Sequence, residues 1–208
     1  MFATVLTSLA FITPVRRSRA VFGPRVAQLS HITLQTATQR GPIERLCSPE
    51  PAALAACQQE TAELWPGGVH MVSGVQQGRL LHTLTRLAGQ AAPARVLELG
   101  TFTGYASVWM GLGLGEGGRL LSLERDARSA AVARRHLAAA GVPPGRVEIS
   151  EGAGRSLPAC APDEGTYDMA IWHLDAAGGA AEATGRDAET DAEATAQGLL
   201  RQLSPGGV

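Results

Sequence analysis

The sequence predicts a doubly wound α/β fold, in which helices cover both faces of a parallel, Rossmann-like sheet. Apolar runs that end at tight turns predict buried strands at 95–99, 119–124, 146–150 and 168–174. Stretches of helical periodicity alternate with these runs, and strands that alternate with helices form a parallel sheet. A glycine turn after the first strand and an acidic residue after the second are the other two observations that favour this fold.

The helices are predicted from periodicity and from the residues at their ends. Four segments qualify: 49–64, 74–87, 105–114 and 127–140. The second of these carries four leucines on one side, namely Leu80, Leu81, Leu84 and Leu87. The fourth is ended by Gly141 and two following prolines.

The turn after the first strand lies in the stretch "VLELGTFTGYAS", residues 96–107. Gly100 and Gly104 give the spacing G-x-x-x-G, whereas dinucleotide sites use G-x-G-x-x-G. Glu98 at the strand tip would repel a phosphate but attract an ammonium or a sulfonium group. S-adenosylmethionine carries both of these cations and has no phosphate. An ordinary strand-to-helix turn is the alternative interpretation of the two glycines.

The second strand ends in "GRLLSLERD", which places Glu124 at the strand tip. Its separation from the first turn is typical of a carboxylate that binds a ribose. A ribose between the two strand tips would explain Glu98 and Glu124 together, although Glu124 could also be a surface residue. We interpret Arg125, Asp126 and Arg128 as a solvated helix start.

Four segments resemble one known family. "HMVSGVQQGRLL", "LELGTFTGYAS", "LERD" and "YDMAIWHLD" are similar, in this order, to the metal-dependent O-methyltransferases related to catechol and caffeoyl-CoA O-methyltransferases. The resemblance runs from about Gly68 to Val208 and implies the class I methyltransferase fold. It also implies S-adenosylmethionine as cofactor and a small catechol-like or caffeoyl-type acceptor.

The resemblance implies a set of cofactor-binding residues. The methionine end of the cofactor would lie near Val72 and Ser73, and the ribose near Glu124. The first loop would contribute Glu98, Gly100, Thr101, Phe102, Gly104 and Ala106. The adenine would lie beside Gly152, Ala153 and Gly154.

The catalytic residues are expected at the end of the fourth strand, where the family has a sequence like "FDLVFIDADK". Aligned without a gap, "YDMAIWHLDA" places Asp168 on the first acid, His173 on the metal-binding aspartate and Asp175 on the second acid. A two-residue gap would make Asp175 the metal ligand, but it would disturb the face alternation of a central strand. Magnesium or manganese is the implied metal, and a histidine favours softer ions than magnesium. Alternatively, His173 is a satisfied buried imidazole.

The chain ends at "LRQLSPGGV", where the family's fifth strand begins and before its "DN" metal ligands. We therefore expect a domain at 44–208 that lacks the last strands and whose methyltransferase activity is doubtful. A low-complexity, acidic insertion is expected at 176–197. The alternatives are an inactive paralogue that binds only cofactor or a partner, and, less favoured because of Glu98, a nicotinamide-dependent oxidoreductase.

Residues 1–43 contain five arginines and no acidic residue, which is typical of a transit peptide or a disordered leader. They predict import into a mitochondrion or plastid, with the cytoplasm as the alternative. The opening apolar stretch is too short to span a bilayer.

Composition excludes several other classes of protein. All 18 basic residues are arginines, which excludes a Walker lysine, a Schiff-base lysine and a lysine general base. The net charge of −1 gives no indication of nucleic-acid binding. The three cysteines are expected to be reduced, and among the five histidines only His173 has neighbours that suggest chemistry. The expected partners are a small-molecule acceptor and possible second copies of the chain in a homodimer.

Overall fold

The structure is a computed structural model that describes residues 11–12, 27–28, 49–151 and 167–173, with the single positions 198 and 202. The predicted adenine residues Gly152, Ala153 and Gly154 lie outside the described residues, as does Asp175. The same holds for the predicted insertion at 176–197 and for all but four residues of the predicted leader.

The predicted elements are present within a few residues of their expected limits. The helices are α1 (Ala52–Leu64), α2 (Val75–Ala88), α3 (Tyr105–Gly113) and α4 (Ala127–Ala139), with a 3-10 turn at Val69–Met71. The strands are β1 (Phe11–Ile12), β2 (Ala27–Gln28), β3 (Arg95–Leu99), β4 (Arg119–Glu124), β5 (Val147–Glu151) and β6 (Met169–Trp172). Helix α4 ends near Gly141, which has a positive φ of 72°.

The main sheet has the strand order β5-β4-β3-β6, and every neighbouring pair is parallel. This arrangement confirms the predicted parallel α/β sheet. Strands β1 and β2 form a separate antiparallel pair. The carboxyl ends of β3, β4 and β6 lie side by side, because β3 is paired with both of the others. Any residue at these three ends therefore contributes to one common site.

Strand register assigns the side chains to two faces. Glu98 pairs with Ser122 on β4 and with Ile171 on β6, so these residues share the face on which α2 and α3 pack. On the opposite face, Leu97, Leu123 and Ala170 are buried as well. Both faces of the central strands are therefore covered, which explains why β3, β4 and β6 carry apolar residues on both faces.

Helices α2 and α3 pack at very short distance because glycines lie at their contacts. A Cβ atom on Gly78 would lie 2.1 Å from the indole nitrogen of Trp109, and one on Gly113 would lie 2.7 Å from the carbonyl oxygen of His82. The His82 ring meets the Trp109 ring edge to face at 6.2 Å. This close contact holds α3, the helix that follows the glycine turn, against α2.

Asp126 is the exposed N-cap of α4, in agreement with its interpretation as part of a solvated helix start. Its carboxylate accepts hydrogen bonds from the backbone N–H of Arg128 at 3.2 Å and of Ser129 at 3.0 Å. The Ser129 hydroxyl donates a third hydrogen bond at 2.6 Å. The hydrogen bonds from Ser129 lower the pKa of Asp126 below its ordinary value.

Within the described part of the chain, no helix is long and apolar enough to cross a membrane.

Replacing Asp126 with alanine is expected to lower the free energy of unfolding by about 1 kcal/mol at pH 7, the usual contribution of an N-cap. Because the pKa of Asp126 is lower in the folded state, this contribution is complete above the unfolded-state pKa of about 3.9 and disappears as pH falls through the folded-state pKa. Denaturant unfolding at pH 7 and pH 3 measures both effects. Asp126→Asn is the control, since an asparagine also caps helices, and equal stabilities of Asp126→Ala and the parent at pH 7 would contradict the assignment.

Candidate active site

The turn between β3 and α3 has three residues with a positive φ: Gly100 at 91°, Phe102 at 50° and Gly104 at 84°. A positive φ is uncommon for a bulky residue such as phenylalanine and marks a strained backbone. The conformation directs the N–H of Phe102 to a carboxylate oxygen of Glu124, at 2.6 Å. The turn is thus held against the tip of the neighbouring strand.

Gly104 packs against α4 so closely that a side chain would not fit, in addition to having a positive φ. A Cβ atom there would lie 2.8 Å from the Cβ of Ala133 on α4, closer than real Cβ atoms approach one another. The resemblance places both turn glycines among the cofactor-binding residues of the first loop. In the structure, the space beside Gly104 is occupied by α4, so this glycine fixes the distance between the turn and that helix.

Glu124 lies at the end of β4 with 7% of its surface exposed. One carboxylate oxygen accepts the N–H of Phe102, and the other accepts the N–H of Asp126 at 2.9 Å. A carboxylate can accept about four hydrogen bonds, so two acceptor positions are left after these backbone contacts. The side chain is therefore held rigidly from both sides and is able to accept the two hydroxyls of a vicinal diol.

Glu98 has a different environment from that of an exposed strand-tip acid, because it is completely buried. Its Oε2 accepts hydrogen bonds from the hydroxyls of Ser107 at 2.5 Å and Ser122 at 2.6 Å. The Thr101 and Ser122 hydroxyls are also in contact, at 2.5 Å, so Thr101 is the donor in that pair. These side chains form one polar network beneath α3, which we call the Glu98 network; it comprises Glu98, Thr101, Ser107, Ser122 and His173.

His173 joins this network at the end of β6. Its Nε2 lies 3.1 Å from Oε1 of Glu98, and its backbone N–H donates to the carbonyl of Leu99 at 3.0 Å. A carboxylate only accepts hydrogen bonds, so Nε2 carries a hydrogen and donates it to Glu98. The side chain is 14% exposed. Nε2 of His173 thus has a hydrogen-bond partner, while the roles of His173 as metal ligand or as satisfied imidazole stay predictions.

The described residues do not by themselves make up a metal site. In 49–151 and 167–173 there is no group of three or more histidine, cysteine, aspartate or glutamate side chains placed to hold an ion. His173 is the one predicted metal residue within these segments, and the carboxylate beside it already accepts two hydroxyls.

Of the remaining predicted cofactor residues, three more lie within the described part of the chain: Val72, Ser73 and Ala106. Val72 is partly buried against the core formed by α1, α3 and α4, and Ser73 beside it is buried. Ala106 is buried in the first turn of α3. Asp168 lies at the other end of the sheet, where its carboxylate accepts the N–H of Arg95 at 2.9 Å, so it is separated from the site.

Two residues that sequence reasoning did not select support the turn from outside. The Trp65 ring meets the Phe102 ring edge to face, with centroids 5.5 Å apart. The guanidinium of Arg128 lies over Trp65, 4.4 Å from the ring centroid. Such a cation–π contact adds a modest attraction. Trp65 and Arg128 are distant in the chain and belong to no shared motif, so the sequence contains no signal that would pair them.

A second polar group lies behind the turn, and it contradicts the expectation that His173 alone among the histidines has chemically significant neighbours. His136 Nδ1 lies 2.7 Å from the carbonyl of Thr103 and 3.1 Å from Cys57 Sγ, while Nε2 lies 2.8 Å from Glu60. The order Cys57–His136–Glu60 resembles a nucleophilic triad. However, Cys57 is completely buried and burial raises the pKa of its thiol to about 12, so it is not a nucleophile.

Comparison with known proteins identifies the family. Residues 44–176 match a family model described as O-methyltransferase. A protein of Mycobacterium tuberculosis named catechol O-methyltransferase is 36% identical over 131 residues, which are 62% of this chain and 56% of that protein. A transmembrane O-methyltransferase of Propithecus coquereli is 44% identical over 77 residues, covering 37% of this chain and 28% of that protein.

Among solved structures, the O-methyltransferase TomG from Streptomyces achromogenes, involved in tomaymycin synthesis and solved in complex with S-adenosylmethionine, is 36% identical with a TM-score of 0.50. The similarity covers 56% of this chain and 50% of TomG. The chain thus spans about half the length of the catechol O-methyltransferase and of TomG, and 28% of the transmembrane O-methyltransferase. Since the family model matches residues 44–176, more than half of this chain, the chain belongs to the O-methyltransferase family.

Proposed function

We propose that this protein binds S-adenosylmethionine at the carboxyl ends of β3 and β4 and transfers its methyl group to a hydroxyl oxygen of a small acceptor. The observation that carries the proposal is the buried carboxylate of Glu124, which backbone N–H groups on both sides hold at the strand tip. Membership of the O-methyltransferase family and the TomG complex with the same cofactor support it.

The residues at the strand ends fit this cofactor. Glu124 has two acceptor positions for the ribose hydroxyls, and the strained turn presents its backbone to the same space. Val72, Ser73 and Ala106 are small or apolar residues, suited to the methionine end of the cofactor. The glycine spacing lacks the pattern of a pyrophosphate site, so a nicotinamide dinucleotide is disfavoured.

His173 is the proposed proton acceptor. When bound, S-adenosylmethionine supplies a methyl group on a positively charged sulfur. The oxygen of the acceptor attacks this methyl group, and the acceptor hydroxyl loses its proton. Glu98 binds Nε2 and thereby orients the imidazole, leaving Nδ1 to take that proton. A base that is itself oriented by a third group is the usual arrangement for activating a hydroxyl.

We propose a catechol-like or caffeoyl-type acceptor, because one relative is named catechol O-methyltransferase and the sequence resembles that family. A second candidate is a paralogue that binds the cofactor but transfers no methyl group. It is favoured by the satisfied position of His173 within the Glu98 network.

For the cofactor, we expect S-adenosylhomocysteine to bind more tightly than NAD in calorimetric titrations. Glu124→Ala should weaken S-adenosylhomocysteine binding about tenfold or more, since hydrogen bonds to a charged group contribute roughly 1.5–3 kcal/mol. Glu116→Ala, which changes an exposed acid in the loop after α3, is the matched control and should leave affinity unchanged. Tighter binding of NAD than of S-adenosylhomocysteine would overturn the cofactor assignment.

For catalysis, methyl transfer from labelled S-adenosylmethionine to a catechol and to a caffeoyl thioester tests the role of His173. His173→Ala is expected to lower kcat by about 10²-fold or more, the usual contribution of a general base, with little change in cofactor affinity. His82→Ala serves as the control on α2. If the parent chain binds cofactor and methylates neither acceptor, the inactive paralogue is the better description.

For Glu98, we expect the main effect of substitution to be on stability. Glu98→Ala removes the acceptor of hydrogen bonds from Ser107, Ser122 and His173, and should lower the free energy of unfolding by about 3 kcal/mol. Thermal denaturation measures this, with Glu148→Ala, an exposed acid on β5, as control. Unchanged stability combined with lost cofactor affinity would show instead that Glu98 acts by contacting the ligand.

A further inference from the structure

The Phe102 side chain is the point at which the segment between α1 and α2 touches the strained turn. We call this segment, residues 65–74, the connector. The Trp65 ring meets the Phe102 ring edge to face, with centroids 5.5 Å apart. Gly68 packs against both side chains, since a Cβ atom there would lie 3.1 Å from Trp65 Cβ and 3.3 Å from Phe102 Cζ. The connector therefore contacts the turn through one aromatic pair and one closely packed glycine.

Backbone hydrogen bonds make the connector a continuous structure that starts at Trp65. The Trp65 N–H donates to the Thr61 carbonyl at 2.8 Å, at the end of α1. The Gly68 N–H donates to the Trp65 carbonyl at 2.8 Å, and the Met71 N–H donates to the Gly68 carbonyl at 2.9 Å. The residues proposed for the methionine end of the cofactor, 72–73, follow directly. The position of Trp65 therefore bears on the position of that end of the site.

Arg128 on α4 holds Trp65 in this position. Its guanidinium lies 4.4 Å from the centroid of the Trp65 ring, in a cation–π contact. The same side chain donates to the carbonyl of Leu64, the last residue of α1, at 3.4 Å. The last carbonyls of a helix have no partner within the helix, and a cation there is favourable. Arg128 thus binds both the end of α1 and the first residue of the connector.

Phe102 is the residue of the turn that needs such support. Its φ of 50° is costly for a bulky residue and persists only where the surroundings fix it. Its N–H donates at 2.6 Å to Glu124, the carboxylate proposed to bind the ribose. Because φ sets the direction of this N–H relative to the Phe102 side chain, fixing the ring against Trp65 helps to fix the N–H on Glu124.

We propose that Trp65 is a positioning residue of the cofactor site, which joins the connector to the turn and holds the Phe102 N–H on Glu124, while Arg128 holds Trp65 in place. This inference rests on the proposed function of the turn. Trp65 thereby relates the two halves of the site, the methionine end that follows the connector and the ribose carboxylate at the end of β4. Its loss weakens cofactor binding and leaves the chemical step unchanged.

The first test needs no cofactor and compares amide hydrogen exchange in the full-length parent and in Trp65→Ala. The Phe102 amide should exchange about fivefold faster in the variant, because its hydrogen bond to Glu124 opens more often. The Leu120 amide, which donates to Arg146 at 2.9 Å beside the sheet, should be accelerated less. Equal acceleration of both amides would show a general loss of stability, and unchanged exchange of Phe102 would show no link. Either result would overturn the proposal.

The second test measures S-adenosylhomocysteine affinity by calorimetry. Trp65→Ala should bind about fivefold more weakly, whereas Trp65→Phe keeps an aromatic ring and should lie within about twofold of the parent. Arg128→Gln should weaken binding about threefold, the usual strength of an exposed cation–π contact. Arg125→Gln is the matched control, because it removes the same charge from a nearby exposed arginine and should leave affinity unchanged. Parental affinity of Trp65→Ala, or equal affinities of the two arginine variants, would contradict the proposal.

A pair of glycine variants tests the same contact with the Trp65 side chain retained. Gly67→Ala and Gly68→Ala add the same methyl group at neighbouring positions, neither of which has a positive φ. No atom lies within 4 Å of the added methyl at Gly67, whereas at Gly68 it meets Trp65 and Phe102. Gly68→Ala should therefore weaken S-adenosylhomocysteine binding and Gly67→Ala should not. Equal affinities of these two variants would count against the proposal.

Failure of the proposed function gives a different result from failure of this inference. If S-adenosylhomocysteine does not bind the parent, the proposed function fails, while the exchange of the Phe102 amide still decides whether Trp65 holds the turn. If the parent methylates an acceptor, Trp65→Ala should raise the KM for S-adenosylmethionine about fivefold with kcat unchanged. A lower kcat with an unchanged KM would overturn the positioning role.

Discussion

The carboxylate of Glu98 is the constraint on which the rest of the site depends. It lies on the helix-covered face of a central strand and is completely buried, so every hydrogen bond it needs has to come from the protein. Ser122 on β4, Ser107 on α3 and His173 after β6 supply them. One buried acid therefore fixes the relative positions of the three strand ends and of the helix that follows the turn.

The turn itself is strained, and its conformation is held from three directions. Glu124 binds the N–H of Phe102 in front, Ser122 accepts a hydrogen bond from the Thr101 hydroxyl beneath, and His136 binds the Thr103 carbonyl behind. A residue such as Phe102 retains a positive φ only where its surroundings over-determine it. A turn that is already rigid loses little conformational entropy when it binds a ligand, which favours affinity.

The proposed methyl transfer depends on the same arrangement. Methyl transfer requires an oriented acceptor and a group that takes its proton, and both requirements are mainly matters of positioning. His173 is oriented through Nε2 by the same acid that organises the strand ends. In the proposed function, the orientation of the His173 base and protein stability are thereby connected through Glu98, so we expect substitutions there to affect both.

The sequence by itself determined the parallel sheet, the order of its elements and the two acids at the strand tips, because these follow from local periodicity and from residues adjacent in the chain. It also predicted that Glu98 and Glu124 lie at neighbouring strand ends. Whether each acid faces the ligand or the core was decided only by strand register and by α3, which bury Glu98 beneath Ser107 while Glu124 lies at the tip. The cluster of Cys57, Glu60, Thr103 and His136 was likewise unpredictable, since these residues are brought together by the packing of α1 and α4 on the turn and form no pattern along the chain. Such contacts depend on the distance between elements, which is set at positions such as Gly104 against Ala133 and has no counterpart in local sequence.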